Sequence, residues 1–145
     1  MEEAMKTRRV APFAVLSTLV LVLGAIVGLH ELVAVASPSP SADHNVHVRK
    51  VQNKWKVVQA QDSTKTLVKA KRGDYIVWKA VGSDAFFQFQ DSTLFGTDSG
   101  IAAAGKTLRL QVSSTADSGR HIYSVFCLKD RAFATGDSPP VIIVE

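Results

Sequence analysis

From residue 46 onward the chain is a succession of short apolar runs separated by turn residues, and this pattern limits what it can fold into. Residues 46–51 and 107–112 alternate apolar and polar side chains with a period of two, as half-buried strands do. No segment after Val46 has a sustained helical period or an internal repeat. Several short strands with turns between them predict an all-β fold, a β-sandwich.

Eight strands are predicted, at residues 46–51, 54–60, 66–70, 75–79, 85–90, 107–112, 121–126 and 141–144. Residues 93–105 contain Gly, Ser and Ala and are aperiodic. We interpret them as a long surface crossing, with a helical turn at residues 101–104.

The C-terminal third of the chain contains its only cysteine, Cys127. This residue ends an apolar run at 121–126 whose composition suits a strand. A loop containing Gly136 and a Pro-Pro step follows, and residues 141–144 form the last apolar run. One cysteine cannot close an intrachain disulfide, so the fold depends on packing alone.

The N-terminus reads as a membrane or targeting segment. Basic residues at positions 6, 8 and 9 precede an uncharged run at residues 10–29, close to the roughly 20 residues that span a bilayer. Positive charges before such a helix stay in the cytoplasm, which places the domain outside it, in the periplasm or the extracellular space. A signal anchor is the first interpretation, and cleavage after Ala36 with secretion is the second.

Three regions follow from these observations. Residues 1–36 comprise a cytoplasmic basic stub and the hydrophobic helix of a signal anchor or signal peptide. Residues 37–45 form a linker that begins with alternating Ser and Pro, which suit a semi-extended spacer. Residues 46–145 form the β-sandwich domain.

A family resemblance rests on several short motifs in order. They are the Gly-Asp strand at 73–78, the Leu-x-Leu-x-Val run at 108–112, the Gly-x-x-x-Tyr-x-x-Phe-Cys run ending at Cys127, and the strand at 141–144. Together these motifs resemble the cupredoxins, the plastocyanin-like blue-copper proteins. The resemblance implies a Greek-key β-sandwich with a metal at one end, held between the loop after the Gly-Asp strand and the C-terminal hairpin.

The copper ligands of that family are not matched in this chain. A blue-copper centre needs two imidazoles and a thiolate, with a weak axial ligand that is often methionine. No histidine or methionine follows Cys127. Other residues occupy the expected places: Phe86, Asp84 or Gln88 for the first histidine, Asp130 for the second, and Thr135 for the methionine.

The chain therefore resembles a divergent cupredoxin that lacks the histidine and methionine ligands. No metal and no cofactor is expected, and Cys127 is only a weak candidate ligand. The open alternative is a copper-binding electron-transfer or copper-handling protein that uses Cys127 with non-standard or partner-supplied ligands.

The cysteine has two further interpretations. A small buried hydrophobe at a strand end is the first. A reactive thiol, or a homodimer linked through Cys127, is the second, because an unpaired cysteine in an exported protein favours such pairing.

Catalysis is not predicted. His121 has no nucleophile at a recognisable spacing, and Ser138 lacks the glycine-flanked elbow of a hydrolase. The aspartates lie in or beside turns, where Asp is favoured for its own backbone hydrogen bonds. We expect no enzyme and no catalytic residue.

The predicted function is a binding or assembly module that recognises a protein or a small ligand through its end loops, 81–86 and 128–138. These loops are where the family carries its metal. The candidate binding surface consists of Asp84, Phe86, Cys127, Asp130, Phe133, Pro139 and Pro140.

Charge gives one further indication. The chain has 17 Lys and Arg against 13 Asp and Glu, a net charge of +4. Much of the excess is concentrated early in the domain, at Arg49, Lys50, Lys54, Lys56, Lys65, Lys69, Lys71 and Arg72. A basic side could face anionic lipid headgroups or an acidic partner, or be an ordinary solvated surface. Nucleic acid is not expected as a partner, because an exported domain rarely meets it.

Overall fold

The computed structural model describes residues 40–136 and 139–145. This part of the chain contains ten strands: β1 Asp43–Val51, β2 Lys54–Gln59, β3 Val68–Ala70, β4 Tyr75–Ala80, β5 Ala85–Phe89, β6 Ser99–Ala102, β7 Thr107–Gln111, β8 Gly119–Cys127, β9 Ala132–Phe133 and β10 Val141–Val144. Among these residues no helix has the length and apolar character that crossing a membrane requires. The predicted N-terminal hydrophobic helix lies outside the described residues.

The strands form two sheets. The first has the order β2-β1-β4-β7, and the second has the order β3-β10-β8-β5-β6 with β9 added beside β8. Strands β1 and β4 pair in parallel, as do β3 and β10, and the other named strand pairs are antiparallel. Buried residues from both sheets form one hydrophobic core. The prediction of an all-β sandwich is therefore confirmed.

Trp78 of β4 lies at the centre of this core and is fully buried. Its ring centroid is 5.3 Å from that of Phe87, 5.7 Å from that of Phe89 and 5.7 Å from that of Tyr123. Phe87 and Phe89 are in β5 and Tyr123 is in β8, so one indole ring joins the two sheets. The Trp78 indole N–H donates a hydrogen bond to the buried Tyr123 hydroxyl at 3.2 Å, which satisfies a donor that water cannot reach.

Most predicted strand bounds agree with the structure to within two residues. The hairpin between β1 and β2 turns on Gln52 and Asn53, whose φ angles of 50° and 59° suit the tight two-residue turns of hairpins. The largest difference is at the start of the domain, where β1 begins at Asp43 rather than at residue 46. The first three residues of β1, Asp43, His44 and Asn45, are polar and give no apolar pattern in the sequence. They belong to the strand because they pair in parallel with β4.

The predicted helical turn at residues 101–104 is wrong, because β6 runs through Ser99–Ala102 as an edge strand paired with β5. Gly100 lies in this strand without a side chain. A Cβ atom there would lie 2.7 Å from the Leu108 side chain, so the glycine allows β6 to approach β7 of the other sheet. The strand has only four residues and includes that glycine, which is why no alternation was visible in the sequence.

The Asp74 carboxylate fastens the first strand to the turn before β4. It accepts hydrogen bonds from the backbone N–H of Ala42, from the backbone N–H of Lys71 and from the His44 ring, each at 2.9 Å. Burial by itself raises the pKa of the Asp74 carboxyl, but these hydrogen bonds outweigh burial and hold that pKa below its ordinary value. Asp74 therefore stabilises the fold in its ionised form.

We expect Asp74→Asn to lower the free energy of unfolding at pH 7 by about 1 to 3 kcal/mol, because bonds to a buried carboxylate are lost. A folded-state pKa below the unfolded value gives stabilisation that is complete above about pH 4 and is lost as the pH falls through the folded pKa. Urea unfolding at pH 7 and at pH 3 should therefore show the difference from wild type shrinking in acid. The control is Asp98→Asn, at an exposed position, and an equal effect of both substitutions would contradict the prediction.

Candidate functional site

Cys127 is the last residue of β8, and its side chain is 0% exposed. It lies opposite Ala85 of β5 and Ala132 of β9. Burial, assisted by the negative charge of Asp130, raises the pKa of the Cys127 thiol to about 11. At neutral pH the side chain is a neutral, enclosed thiol. A raised pKa leaves little of the nucleophilic thiolate, and the burial of the side chain disfavours a disulfide with a second chain while the sandwich is closed.

Hydrogen bonds tie together the two loops beside Cys127. The Leu128 N–H donates to the Asp84 carbonyl oxygen at 3.0 Å, and the Lys129 N–H donates to the Ser83 hydroxyl at 3.0 Å. Ser83 is buried and donates in turn to the carbonyl oxygen of Asp84 at 2.8 Å. This end of the sandwich is closed by the chain's own polar groups.

Asp130 connects the loop after β8 to the first sheet. Its carboxylate accepts a hydrogen bond from the Trp55 indole N–H at 2.7 Å and forms an ion pair with Lys50. The Lys50 ammonium also lies 5.3 Å from the centre of the Trp55 ring. The hydrogen bonds from Lys50 and then from Trp55 lower the pKa of the Asp130 carboxyl. The Asp130 carboxylate is therefore already bonded to Trp55 and Lys50 of the first sheet.

The described histidines lie away from Cys127. His44 donates to Asp74 at the opposite end of β4, and His47 lies on the outer face of the first sheet. His121 shares β8 with Cys127, but six positions separate them, which is roughly 20 Å along a strand. The His121 ring contacts the Asp91 carboxylate at 3.0 Å and the carbonyl oxygen of Asp117 at 2.8 Å. Residues 40–136 and 139–145 contain no cluster of three His, Cys, Asp or Glu side chains that could hold a metal ion.

An apolar row crosses the outer face of the second sheet. Strand register places Phe86 opposite Ile101 on one side and opposite Phe126 on the other, and Phe126 opposite Phe133. We call these four side chains, on β6, β5, β8 and β9, the apolar row. Ile101 and Phe133 are each 66% exposed and Phe86 is 38% exposed, and the rings of Phe126 and Phe133 meet edge to face at 5.1 Å.

The apolar row lines a groove of about 570 Å³ with a polar border. Gln88 and Ser124, opposite each other in the next register position, lie on one side. Asp84 lies on the other side, beside Leu128, an apolar residue that is 48% exposed. An apolar centre with a polar margin is the usual composition of a recognition surface.

The structure brings together only part of the predicted binding surface. Asp84, Phe86 and Phe133 line the groove. Cys127 points into the core and Asp130 is engaged by the first sheet. Pro139 is exposed in a neighbouring groove that shares Gln88 and Ser124 with the first, and Pro140 is buried.

Five residues that line the groove were absent from the predicted binding surface: Gln88, Ile101, Ser124, Phe126 and Leu128. Phe126 could have been identified from the alternation of side chains along a strand. It directly precedes Cys127, which points inward, so Phe126 points outward. Ile101 carried no comparable signal, because its strand was not recognised.

No protein-family model matches the chain, and no curated protein sequence matches it. Among solved structures, it is similar to a methionine-to-alanine mutant of amicyanin in the Cu(I) form, with 14% identity, a TM-score of 0.42, and coverage of 71% of this chain and 82% of that chain. An oxidized methionine-to-lysine mutant of amicyanin is 16% identical, with a TM-score of 0.44 and coverage of 76% and 95%. The fold defines an all-β sandwich protein, and no closer assignment rests on similarities of this size.

We expect the Cys127 thiol of the folded protein to react with a disulfide reagent at pH 8 on the order of 100-fold more slowly than an exposed thiol, because a pKa of about 11 leaves little thiolate. The matched control is Thr107→Cys, which adds a thiol at an exposed position of β7. The rate is followed by absorbance, and unfolding in guanidinium should expose Cys127 fully. Equal rates for the two thiols in the folded state would contradict the buried assignment.

Proposed function

We propose that this chain is a cupredoxin-like binding or assembly module, tethered to a membrane outside the cytoplasm, that recognises its partner through the apolar row and has no complete type 1 copper site. The observation that carries this proposal is the apolar row itself. Three of its four side chains are aromatic, and Ile101 and Phe133 are each 66% exposed.

The apolar row is unusual for the strands that carry it. The inner faces of β5 and β8 already supply Phe87, Tyr123 and Val125 to the core. An antiparallel sheet with one face on the core normally presents polar residues on the other face. Here the outward pair Phe86 and Phe126 is as apolar as the neighbouring inward pair Phe87 and Val125, which is the pattern of a sheet covered on both sides. Contiguous exposed apolar patches of this kind mark interaction sites.

The chemistry around Cys127 supports binding rather than metal-dependent electron transfer. A type 1 site needs two imidazoles beside the thiolate. The residues that close this end instead make hydrogen bonds: Ser83, Asp84, Leu128 and Lys129 bond to one another, and Asp130 bonds to Trp55. These residues do not fit a blue-copper ligand set, and no catalytic constellation is proposed.

The tether is supported by the sequence alone. Residues 10–29 are uncharged and apolar, and basic residues precede them. This arrangement favours a single span with the domain on the far side of the membrane. An anchored binding module would hold its partner near the bilayer.

The recognition role can be tested by placing a photo-crosslinking amino acid at Ile101 or at Phe133 in the full chain. Illumination of membranes from the native source should give a discrete crosslinked partner at these positions. A crosslinker at Gln111, exposed on the other sheet, is the control. Phe133→Ala should weaken the association about tenfold or more, since large aromatic side chains dominate interface energies. Equal crosslinking from all three positions would refute the role of the apolar row.

The absence of a complete copper site is tested by titrating Cu(I) and Cu(II) into the protein beside a Cys127→Ser variant. We expect no intense visible thiolate-to-copper band and no metal uptake that depends on Cys127. A strong band that is lost in the variant would establish the alternative, a copper-binding electron-transfer or copper-handling protein. Visible absorption and metal stoichiometry distinguish the binding module from the copper protein.

A further inference from the structure

The outer face of the first sheet is basic. Val46 and Val48 of β1 point into the core, so the residues between and after them, His47 and Arg49, point outward. Several outward residues of the neighbouring strands are also basic, and Val58, Val77 and Thr107 lie among them. We call the basic residues and His47 together the basic face: Lys54, Lys56, His47, Arg49, Lys79 and Arg109.

Like charges face each other across β1 and β2, where Arg49 lies directly opposite Lys56. On the other side of β1, His47 lies directly opposite Lys79. Like-charged side chains at opposite positions of an antiparallel pair destabilise a sheet, so the Arg49 and Lys56 pair carries an unfavourable energy in the isolated domain. An anion lying over the face would offset this repulsion by attracting both side chains.

The charges on this face are mostly not neutralised within the domain. Asp43 pairs with Arg109 at 2.8 Å. Within residues 40–136 and 139–145, none of Arg49, Lys56 and Lys79 forms an ion pair. The Arg49 Nε atom is shielded from solvent and has no hydrogen-bond partner there.

The pKa of the His47 imidazole is lowered, first by burial and then by the charges of Arg49 and Lys79. The smaller, electrostatic part of this shift has the direction that neighbouring positive charges give.

We infer that the basic face binds anionic lipid headgroups and lays the domain on the membrane that its N-terminus enters. The charges are spread over β2, β1, β4 and β7, about 15 Å across at the usual strand spacing. A planar array of positive charges matches a planar array of negative headgroups better than it matches one small anion.

The inference rests on the proposed function, in which residues 10–29 anchor the chain in a membrane. Such an anchor would also favour docking, because it keeps the domain close to the bilayer. Residues 30–42 separate the apolar run from β1, and 13 residues extend at most about 45 Å. A domain held within that distance meets the surface at a high effective concentration. The apolar row lies on the outer face of the opposite sheet, so docking through the basic face leaves the row pointing away from the lipid.

The test uses the full chain reconstituted into phosphatidylcholine vesicles, with or without phosphatidylglycerol, containing a headgroup-labelled fluorescence quencher. A fluorophore is attached at Thr107→Cys, opposite Lys79 on the basic face, or at Gln88→Cys, on the outer face of the other sheet. We expect strong quenching at position 107 only, and only in the anionic vesicles.

The charge requirement is tested by the combined variant Arg49→Gln, Lys56→Gln and Lys79→Gln. Each removed charge should lower the ratio of docked to undocked protein about fivefold. The matched control, Arg120→Gln with Lys129→Gln and Arg131→Gln, removes three exposed charges elsewhere and should keep the quenching. Circular dichroism verifies that both variants are folded. Equal loss in both variants would overturn the inference.

Alkaline carbonate extraction separates the two proposals. Protein that stays with the vesicles but shows no dependence on anionic lipid overturns the inference alone. Protein that carbonate removes overturns the tether, and the inference falls with it. The label at position 107 can also be tested with soluble polyglutamate. A response to polyglutamate but not to anionic vesicles would overturn the inference of lipid binding and favour an acidic protein partner.

Discussion

The burial of Trp78 between the two sheets is the contact on which the rest of the structure depends. Its ring touches Phe87, Phe89 and Tyr123 from the opposite sheet, and its indole N–H is satisfied by the Tyr123 hydroxyl. Because a strand alternates its side chains, one buried residue fixes the direction of every other residue on that strand. The core therefore decides which residues each outer face presents.

The two outer faces that result differ in chemistry. The first sheet presents basic residues at neighbouring register positions, and the second presents the aromatic and aliphatic side chains of the apolar row. Neither composition serves the stability of the isolated domain, since one gathers like charges and the other leaves large apolar groups in water. The basic face and the apolar row would therefore favour occupants of different chemistry, one anionic and one apolar.

The sequence was sufficient where local alternation is strong and insufficient where contacts are distant. Strands such as β7 and β10 could be predicted because their apolar pattern is local. The roles of Asp130 and Asp84 could not, because Asp130 bonds to Trp55 across 75 positions of the chain and Asp84 bonds to loops far from it in sequence. Phe86 and Phe133 were identified as surface residues, but their alignment with Ile101 depends on the register of a strand too short to recognise.

The hydrogen bonds that close the Cys127 end also bear on how the protein matures. In a metalloprotein a terminal site assembled from separate loops stays incomplete until its ion arrives, so folding and metal supply are linked. Here Leu128 and Lys129 find their acceptors on Asp84 and Ser83 within the same polypeptide. The polypeptide itself supplies the donors and acceptors of these hydrogen bonds, so they can form as soon as β5 and β8 pair during folding.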